Sequence, residues 1–189
     1  LAYSRHAVLV GHYLGDSIVS AEGALDRQLN GALSRRQQLG LYPTQLGTHS
    51  VFFHEKPDGK PGGAVVVGLG QVGGLSPGLL AAGVSKALLD YALQVAQWPD
   101  DVRFGPSDKP RHAALSCLLV GSGAGGMPIA GSVEAILRAA VAAGNTLVEQ
   151  ELDHKVVIDE IEFIEVFEDV AIVAAEALSA ALRDGALAA

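Results

Sequence analysis

Runs of apolar residues alternate with helix-like segments along the chain. The runs at 6–10, 64–69 and 112–120 are almost wholly apolar, as is typical of strands buried on both faces of a sheet. The segment 48–54 is rich in β-branched and aromatic residues and predicts another strand, a candidate hairpin partner of 64–69. Between 156 and 167, apolar and acidic positions largely alternate, which predicts an edge strand or a hairpin with one wet face.

Helical periodicity accounts for most of the sequence between these runs, and a polar stretch at 99–110 is typical of a surface loop. Helices are predicted over 17–29, 32–39, 77–97, 133–147 and 168–182. Predicted caps are Asp16 or Ser17 for the first helix, Ser76 before Pro77 for the third and Ser132 for the fourth. The alternation predicts a three-layer α/β/α sandwich with a mixed sheet. Because no internal linker is visible, residues 1–189 are predicted to form a single domain.

Two glycine-rich turns each follow an apolar run and precede a helix. Residues 68–74 read GLGQVGG, residues 121–126 read GSGAGG, and both contain G-x-G-x-x-G. Glycine lets backbone N–H groups approach a ligand closely, and a following helix N-terminus favours an anion. We expect the turns to emerge side by side from adjacent central strands and to cradle a nucleotide-like or other anionic small molecule. The candidate binding residues are Gly68, Gly70, Gly73, Gly121, Ser122, Gly123, Gly125 and Gly126. The alternative is that these glycines serve only tight turns and close helix packing.

A dinucleotide site of the Rossmann type is not expected. Such a site needs an acidic residue about twenty positions after the turn, at the end of the next strand. Asp90 has that spacing but falls in a predicted helix, and Glu151 is misplaced in the same way. The six histidines show no metal-ligand spacing, and Cys117 lies within an apolar run, as an inert buried thiol does. No cofactor, metal or catalytic set is therefore predicted.

The composition of the chain excludes several classes of binding partner. The net charge is −8, there is no basic stripe, and aromatic residues make up only 5% of the chain. Nucleic acid is therefore not an expected partner. No stretch of about 18 apolar residues indicates a membrane span. The single cysteine excludes an internal disulfide, and we expect a cytoplasmic protein. Since the sequence starts at Leu1, we expect a piece of a longer, multidomain protein.

The glycine motifs also resemble a known family. The strand end VVVGLG at 65–70, followed by Leu-Ser-Pro at 75–77 and an Ala/Leu-rich helix, resembles the macro-like N-terminal domain of leucyl aminopeptidases. The segments 118–126 and 162–169, together with Ser132, are similar to uncharacterised bacterial domains that accompany CHAT-type caspase-like proteases. The resemblance extends from about residue 7 to 180 and implies a macro-like fold.

The resemblance implies that the chain binds a ligand, but it matches no catalytic residues. Macro domains bind ADP-ribose through glycine-rich loops, and the acidic residue that meets the adenine has Asp16 as its candidate here. The metal ligands of an aminopeptidase and the Cys and His of a CHAT protease have no match. Three functions are expected in order: a non-catalytic ligand-sensing or assembly domain, a hydrolase of an ADP-ribose derivative that uses His12 or Asp16, and a structural homo-oligomerisation module. Other domains of the same protein are expected partners.

Overall fold

The structure, a computed structural model, describes residues 4–98, 104 and 108–183. The predicted strands and helices are present, and two additional short strands divide the second half. The elements are β1 (Ala7–His12), α1 (Ser20–Gln28), α2 (Ala32–Gln38), β2 (His49–Phe53), β3 (Gly63–Gly68), α3 (Pro77–Gln97), β4 (Arg111–His112), β5 (Leu115–Cys117), α4 (Ile129–Glu149), β6 (Val156–Val157), β7 (Ile161–Phe163) and α5 (Glu168–Arg183). Most of the stretch 99–110, predicted as a loop, lies outside the described residues.

Five strands form a mixed sheet in the order β2-β3-β1-β5-β7. β1 lies at its centre and pairs in parallel with both β3 and β5, with Val10 opposite Val66 and Leu9 opposite Cys117. β2 runs antiparallel to β3, so the predicted hairpin partnership is confirmed. The parallel strands therefore all end at the same edge of the sheet.

Helices cover both faces of this sheet, which confirms the three-layer sandwich. Alternate side chains of β1 point in opposite directions because the period of a strand is two residues. Leu9 packs in a cluster with Val84 of α3 and Ile136 of α4. Val8 belongs to a second cluster with Leu25 of α1, on the other face. Full burial of each such side chain contributes about 1.5–3 kcal/mol, so the apolar runs of the sequence stabilise the sandwich directly.

Of the three predicted helix caps, one agrees with the structure. The Ser76 hydroxyl accepts a 3.3 Å hydrogen bond from the Leu79 N–H and Pro77 is the first residue of α3, as predicted. The predicted caps of α1, Asp16 and Ser17, are wrong, because the chain stays non-helical up to Val19 and the helix begins at Ser20 without a side-chain cap.

Ser132 was also expected to cap a helix, and this prediction is wrong. α4 begins three residues earlier, at Ile129, so Ser132 lies in the first turn of the helix. Its hydroxyl is fully buried and donates a 2.8 Å hydrogen bond to the Val120 carbonyl. The serine therefore links α4 to the residue that directly precedes the second glycine turn.

The second half of the sheet differs from the prediction in its strand pairing. The run 112–120 is not one strand: β4 pairs with β6 in a separate two-stranded sheet, whereas β5 joins the main sheet. The segment 156–167 is not a hairpin, since β6 and β7 pair in parallel with β4 and β5 instead of with each other. β7 is an edge strand, as the alternation indicated. Alternation reveals a wet face, but it does not identify the partner strand.

α3 is long and apolar enough to cross a membrane by length and composition alone. Its buried residues, among them Leu80, Leu88 and Val95, pack instead in the cluster beneath the sheet. Core helices meet the same criterion, so this pattern carries no argument for a membrane.

Candidate ligand-binding cleft

Both glycine turns lie at the carboxyl edge of the sheet, one after β3 and one after β5. The expectation that they emerge from adjacent strands is wrong, because β1 lies between β3 and β5. The turns still come together above the end of β1. A Cβ on Gly11 would lie 2.5 Å from Leu69 Cδ1 and 2.6 Å from Val120 Cγ1. Because Gly11 has no side chain, Leu69 of the first turn and Val120, which precedes the second turn, can both pack against the central strand.

A cleft of about 240 Å³ opens at this edge. It lies between the segment that joins β1 to α1 and the second glycine turn, and the first turn contributes only Leu69 to it. Crevices at the carboxyl ends of parallel strands are the usual ligand sites of open α/β sheets. The residues that line the cleft include Tyr13, Asp16, Glu22, Gly121, Gly123 and Ala124.

In the first turn, the N–H groups of Gly68 and Gly70 already have hydrogen-bond partners within the protein. The Gly68 N–H donates to the Thr48 carbonyl and the Gly70 N–H to the Thr44 carbonyl, each at 2.9 Å. Both glycines are buried, and Gly73 is exposed but does not line the cleft. Ligand binding by these three residues stays a prediction, with no free N–H at Gly68 or Gly70 in support of it.

The second turn offers unpaired donors. It is braced internally, since the Gly126 N–H donates to the Gly123 carbonyl at 3.0 Å and the Ser122 hydroxyl donates to the Leu119 carbonyl at 2.7 Å. Among the residues that the structure describes, no acceptor is bonded to the N–H groups of Gly123, Ala124 and Gly125. Backbone donors of this kind, held in a fixed turn, form anion sites. The predictions for Gly121 and Gly123 thus concern residues that do line the cleft.

Two carboxylates lie on the other side of the cleft. Asp16, the candidate from the family resemblance, is exposed there. Glu22 is largely buried; its carboxylate accepts a 2.6 Å hydrogen bond from the Tyr42 hydroxyl and lies 3.0 Å from His12 Nδ1. Burial, followed by the bond to Glu22, raises the pKa of Tyr42. The cleft therefore combines unpaired N–H donors with acidic acceptors.

His12 does not meet Asp16. It is the last residue of β1, is 1% exposed and bonds to Glu22, and its ring also contacts the Tyr42 ring edge-on. His12, a candidate for the hydrolase alternative, therefore belongs to a buried cluster with Glu22 of α1 and Tyr42, which precedes β2. His12 does not line the cleft.

Tyr13 is a cleft residue that the sequence reasoning missed. It is 7% exposed, and its buried hydroxyl has no hydrogen-bond partner among the described residues. Burial, and to a lesser extent the charge of Asp16, raises the pKa of this hydroxyl. The available signal was its position, an aromatic residue with a polar tip directly after a buried strand and before a loop.

A second cavity, of about 330 Å³, lies at the opposite edge of the sheet, where the parallel strands begin. Its lining includes Arg5, Lys60 and Tyr91, and neither glycine turn reaches it. Over 4–98, 104 and 108–183, no three His, Cys, Asp or Glu side chains gather as a metal site. The carboxyl-edge cleft is therefore the better candidate for the ligand that the glycine turns predict.

Comparison with known proteins identifies the fold. No family model and no curated protein matches the chain, but solved macrodomains do. The macrodomain of Oceanobacillus iheyensis with ADP is 13% identical at a TM-score of 0.55, over 96% of this chain and 87% of that one. The Trypanosoma brucei macrodomain in complex with ADP-ribose is 16% identical at a TM-score of 0.56, over 92% of this chain and 64% of that one.

A third similar structure is the macrodomain of Mycobacterium tuberculosis DarG, 13% identical at a TM-score of 0.55, over 88% of this chain and 93% of that one. Together these likenesses show that the chain has a macrodomain fold. The macro-like architecture implied by the resemblance is confirmed, whereas the leucyl aminopeptidase and CHAT context receives no support from them.

Proposed function

We propose that this chain binds ADP-ribose or a related nucleotide diphosphate in the carboxyl-edge cleft and catalyses no reaction on it. The observation that carries the proposal is the set of unpaired N–H groups at Gly123, Ala124 and Gly125, next to a cleft in a fold whose solved examples hold ADP and ADP-ribose. A phosphate oxygen satisfies such donors without any Lys or Arg, which suits a domain of net charge −8.

The acidic side of the cleft favours a ligand with its own donors. Asp16 and Glu22 carry acceptor oxygens and repel a second anionic group. A ligand that joins phosphates to ribose hydroxyls or an amino-bearing base meets both sides: phosphate oxygens at the turn and hydroxyl or N–H donors at the carboxylates. Inorganic phosphate satisfies only one side, so it is expected to bind more weakly than ADP or ADP-ribose.

Isothermal titration calorimetry tests the proposal. ADP-ribose, ADP, AMP, NAD and inorganic phosphate are titrated into the protein at low salt. The expected result is a saturable heat for ADP-ribose or ADP, with inorganic phosphate weaker than either. The absence of heat above buffer for all five compounds contradicts the proposal and leaves the assembly role alone.

A hydrolase of an ADP-ribose derivative is the second candidate, and Asp16 is the residue that favours it because an exposed carboxylate lines the cleft. A carboxylate there has access to a water molecule beside a bound ligand. Release of ADP-ribose from a modified protein is measured for wild type, Asp16→Asn and His12→Ala. Turnover that disappears in Asp16→Asn favours the hydrolase, and no turnover in the wild type favours binding alone.

The wider setting is also a proposal. We infer from the family resemblance that the chain is a segment of a larger cytoplasmic bacterial protein, in which it senses a ligand or holds an assembly together. The alternative of a homo-oligomerisation module is supported by exposed apolar side chains near β7 and α5, such as Phe167 and Ile172. Light scattering at several concentrations tests it, and a monomer at all of them excludes the module.

A further inference from the structure

The Tyr13 hydroxyl is a buried polar group that nothing in the described chain satisfies. Tyr13 comes directly after β1, and its ring lines the cleft together with Gly121 and Gly123. The hydroxyl oxygen is covered, yet it has no hydrogen-bond partner. Buried polar groups are paired in the great majority of cases, and an exception is unfavourable unless a ligand or water completes it.

The second glycine turn lies against this hydroxyl. A side chain at Gly125 would overlap the Tyr13 oxygen, so only a glycine backbone fits there. The same turn carries the unpaired N–H groups of Gly123, Ala124 and Gly125. The Tyr13 hydroxyl and these three N–H groups are therefore four neighbouring hydrogen-bond donors at one end of the cleft, and none of them has a bonded acceptor in the described chain. An anionic group satisfies such an arrangement.

We propose that Tyr13 is a binding residue of this site, whose hydroxyl donates a hydrogen bond to the anionic group held by the second glycine turn. The inference rests on the proposed function and adds a donor that neither the glycine motifs nor the fold identifies. Because the hydroxyl is covered beforehand, the proposal requires the turn backbone to shift when the anion binds. Because the hydroxyl has no partner beforehand, pairing it favours the bound state without breaking an existing bond.

The protonation state of Tyr13 agrees with this role. Burial and Asp16 raise the pKa of the hydroxyl above its ordinary value of about 10, so it stays a donor throughout the neutral range. A neutral donor also adds no charge to a cleft that already holds two carboxylates. The geometry, a covered and unpartnered oxygen against the turn, is what carries the assignment.

The test compares Tyr13→Phe with a matched control, Tyr91→Phe. Tyr91 is also a buried tyrosine, but its hydroxyl donates to the Ala114 carbonyl at 3.2 Å, far from the glycine turns. Affinity for ADP-ribose is measured by calorimetry, and the melting temperature by scanning calorimetry without ligand. For Tyr13→Phe we expect about fivefold to tenfold weaker binding with an unchanged or higher melting temperature. For Tyr91→Phe we expect unchanged affinity with a lower melting temperature.

Three outcomes overturn the inference. Equal affinity in wild type and Tyr13→Phe overturns it and leaves the proposed function intact. A loss of affinity in Tyr13→Phe with a fall in melting temperature as large as that of Tyr91→Phe shows a structural role instead. A wild-type protein that binds neither ADP-ribose nor ADP overturns both this inference and the proposed function.

Discussion

The Tyr42 hydroxyl donates a 2.6 Å hydrogen bond to Oε1 of Glu22, and this bond joins the segment before β2 to α1. Both residues are at most 9% exposed. His12, at the end of the central strand, bonds to the same carboxylate. The bond therefore holds the Glu22 carboxylate in place on its buried side, and the same residue lines the cleft.

Replacing Tyr42 by Phe is predicted to destabilise the protein by about 1–3 kcal/mol. The change leaves the packing nearly intact but removes a donor from a buried carboxylate, which is then undersatisfied. Urea unfolding followed by circular dichroism measures the free energy of unfolding. A midpoint equal to that of the wild type would show that the bond contributes nothing.

Replacing Gly11 by Ala is predicted to destabilise the fold and to weaken ligand binding. The added Cβ meets the buried side chains of Leu69 and Val120, which both line the cleft. Such overpacking costs about 1–3 kcal/mol and displaces these two side chains. Urea unfolding and calorimetry with ADP-ribose measure the two effects.

The matched control is Gly144→Ala in α4, where an added Cβ meets nothing within 4 Å. Ala is favoured over Gly in a helix interior by about 1 kcal/mol, so this variant is expected to be more stable with unchanged binding. If Gly11→Ala behaves like Gly144→Ala, the close approach above β1 is not tight.

Introducing a carboxylate into the second turn is predicted to weaken anion binding. Gly123 has open space for a side chain and no left-handed backbone angle, so Gly123→Asp is compatible with the fold. A negative charge within a few ångströms of a bound phosphate is expected to weaken it by about tenfold or more.

Gly144→Asp adds the same charge, also in open space, away from the cleft. It is predicted to bind ADP-ribose like the wild type. Equal losses in the two variants would point to an effect of net charge and not of the site.

The thiol of Cys117 is predicted to be unreactive in the folded protein. Burial, with a smaller effect of Glu162, raises its pKa well above the ordinary value of about 9. A thiol reagent is expected to modify it only in denaturant. Because the folded state holds this proton more tightly than the unfolded state, the stability contribution is complete below about pH 9 and decreases as the pH rises further.

The pH dependence is checked by the melting temperature between pH 7 and 10.5. Above about pH 9, wild type is expected to lose stability more steeply than Cys117→Ala, which lacks the ionisation. Parallel curves for the two proteins, or rapid labelling of the native thiol, would contradict the burial of Cys117.

The sequence allowed the layers of the fold to be predicted, because they follow from local signals. Apolar runs such as 64–69 are long enough to identify central strands, and Ser76-Pro77 marks a helix start by its own chemistry. Strand order is different: it depends on contacts between distant segments. Nothing in the run 112–120 reveals that one end joins β6 and the other joins β1.

Only part of the cleft could be predicted, because its other features also depend on contacts between distant segments. The glycines of both turns look alike in sequence, yet the N–H groups of Gly68 and Gly70 are taken by carbonyls of residues 48 and 44, which only the folded chain brings near. Glu22 and Tyr13 carry no motif. The role of Glu22 comes from its burial beside the cleft and that of Tyr13 from its unpaired hydroxyl, and neither property is visible in a sequence.

The central claim is that the second glycine turn binds an anion through its backbone, and amide chemical shifts in a titration with ADP test it most directly. Two-dimensional ¹⁵N–¹H spectra of the labelled protein are predicted to show saturable shifts at Gly123, Ala124 and Gly125. No comparable shifts are expected at Gly68 and Gly70. Shifts centred on the opposite cavity around Lys60, or no shifts at all, would contradict the account.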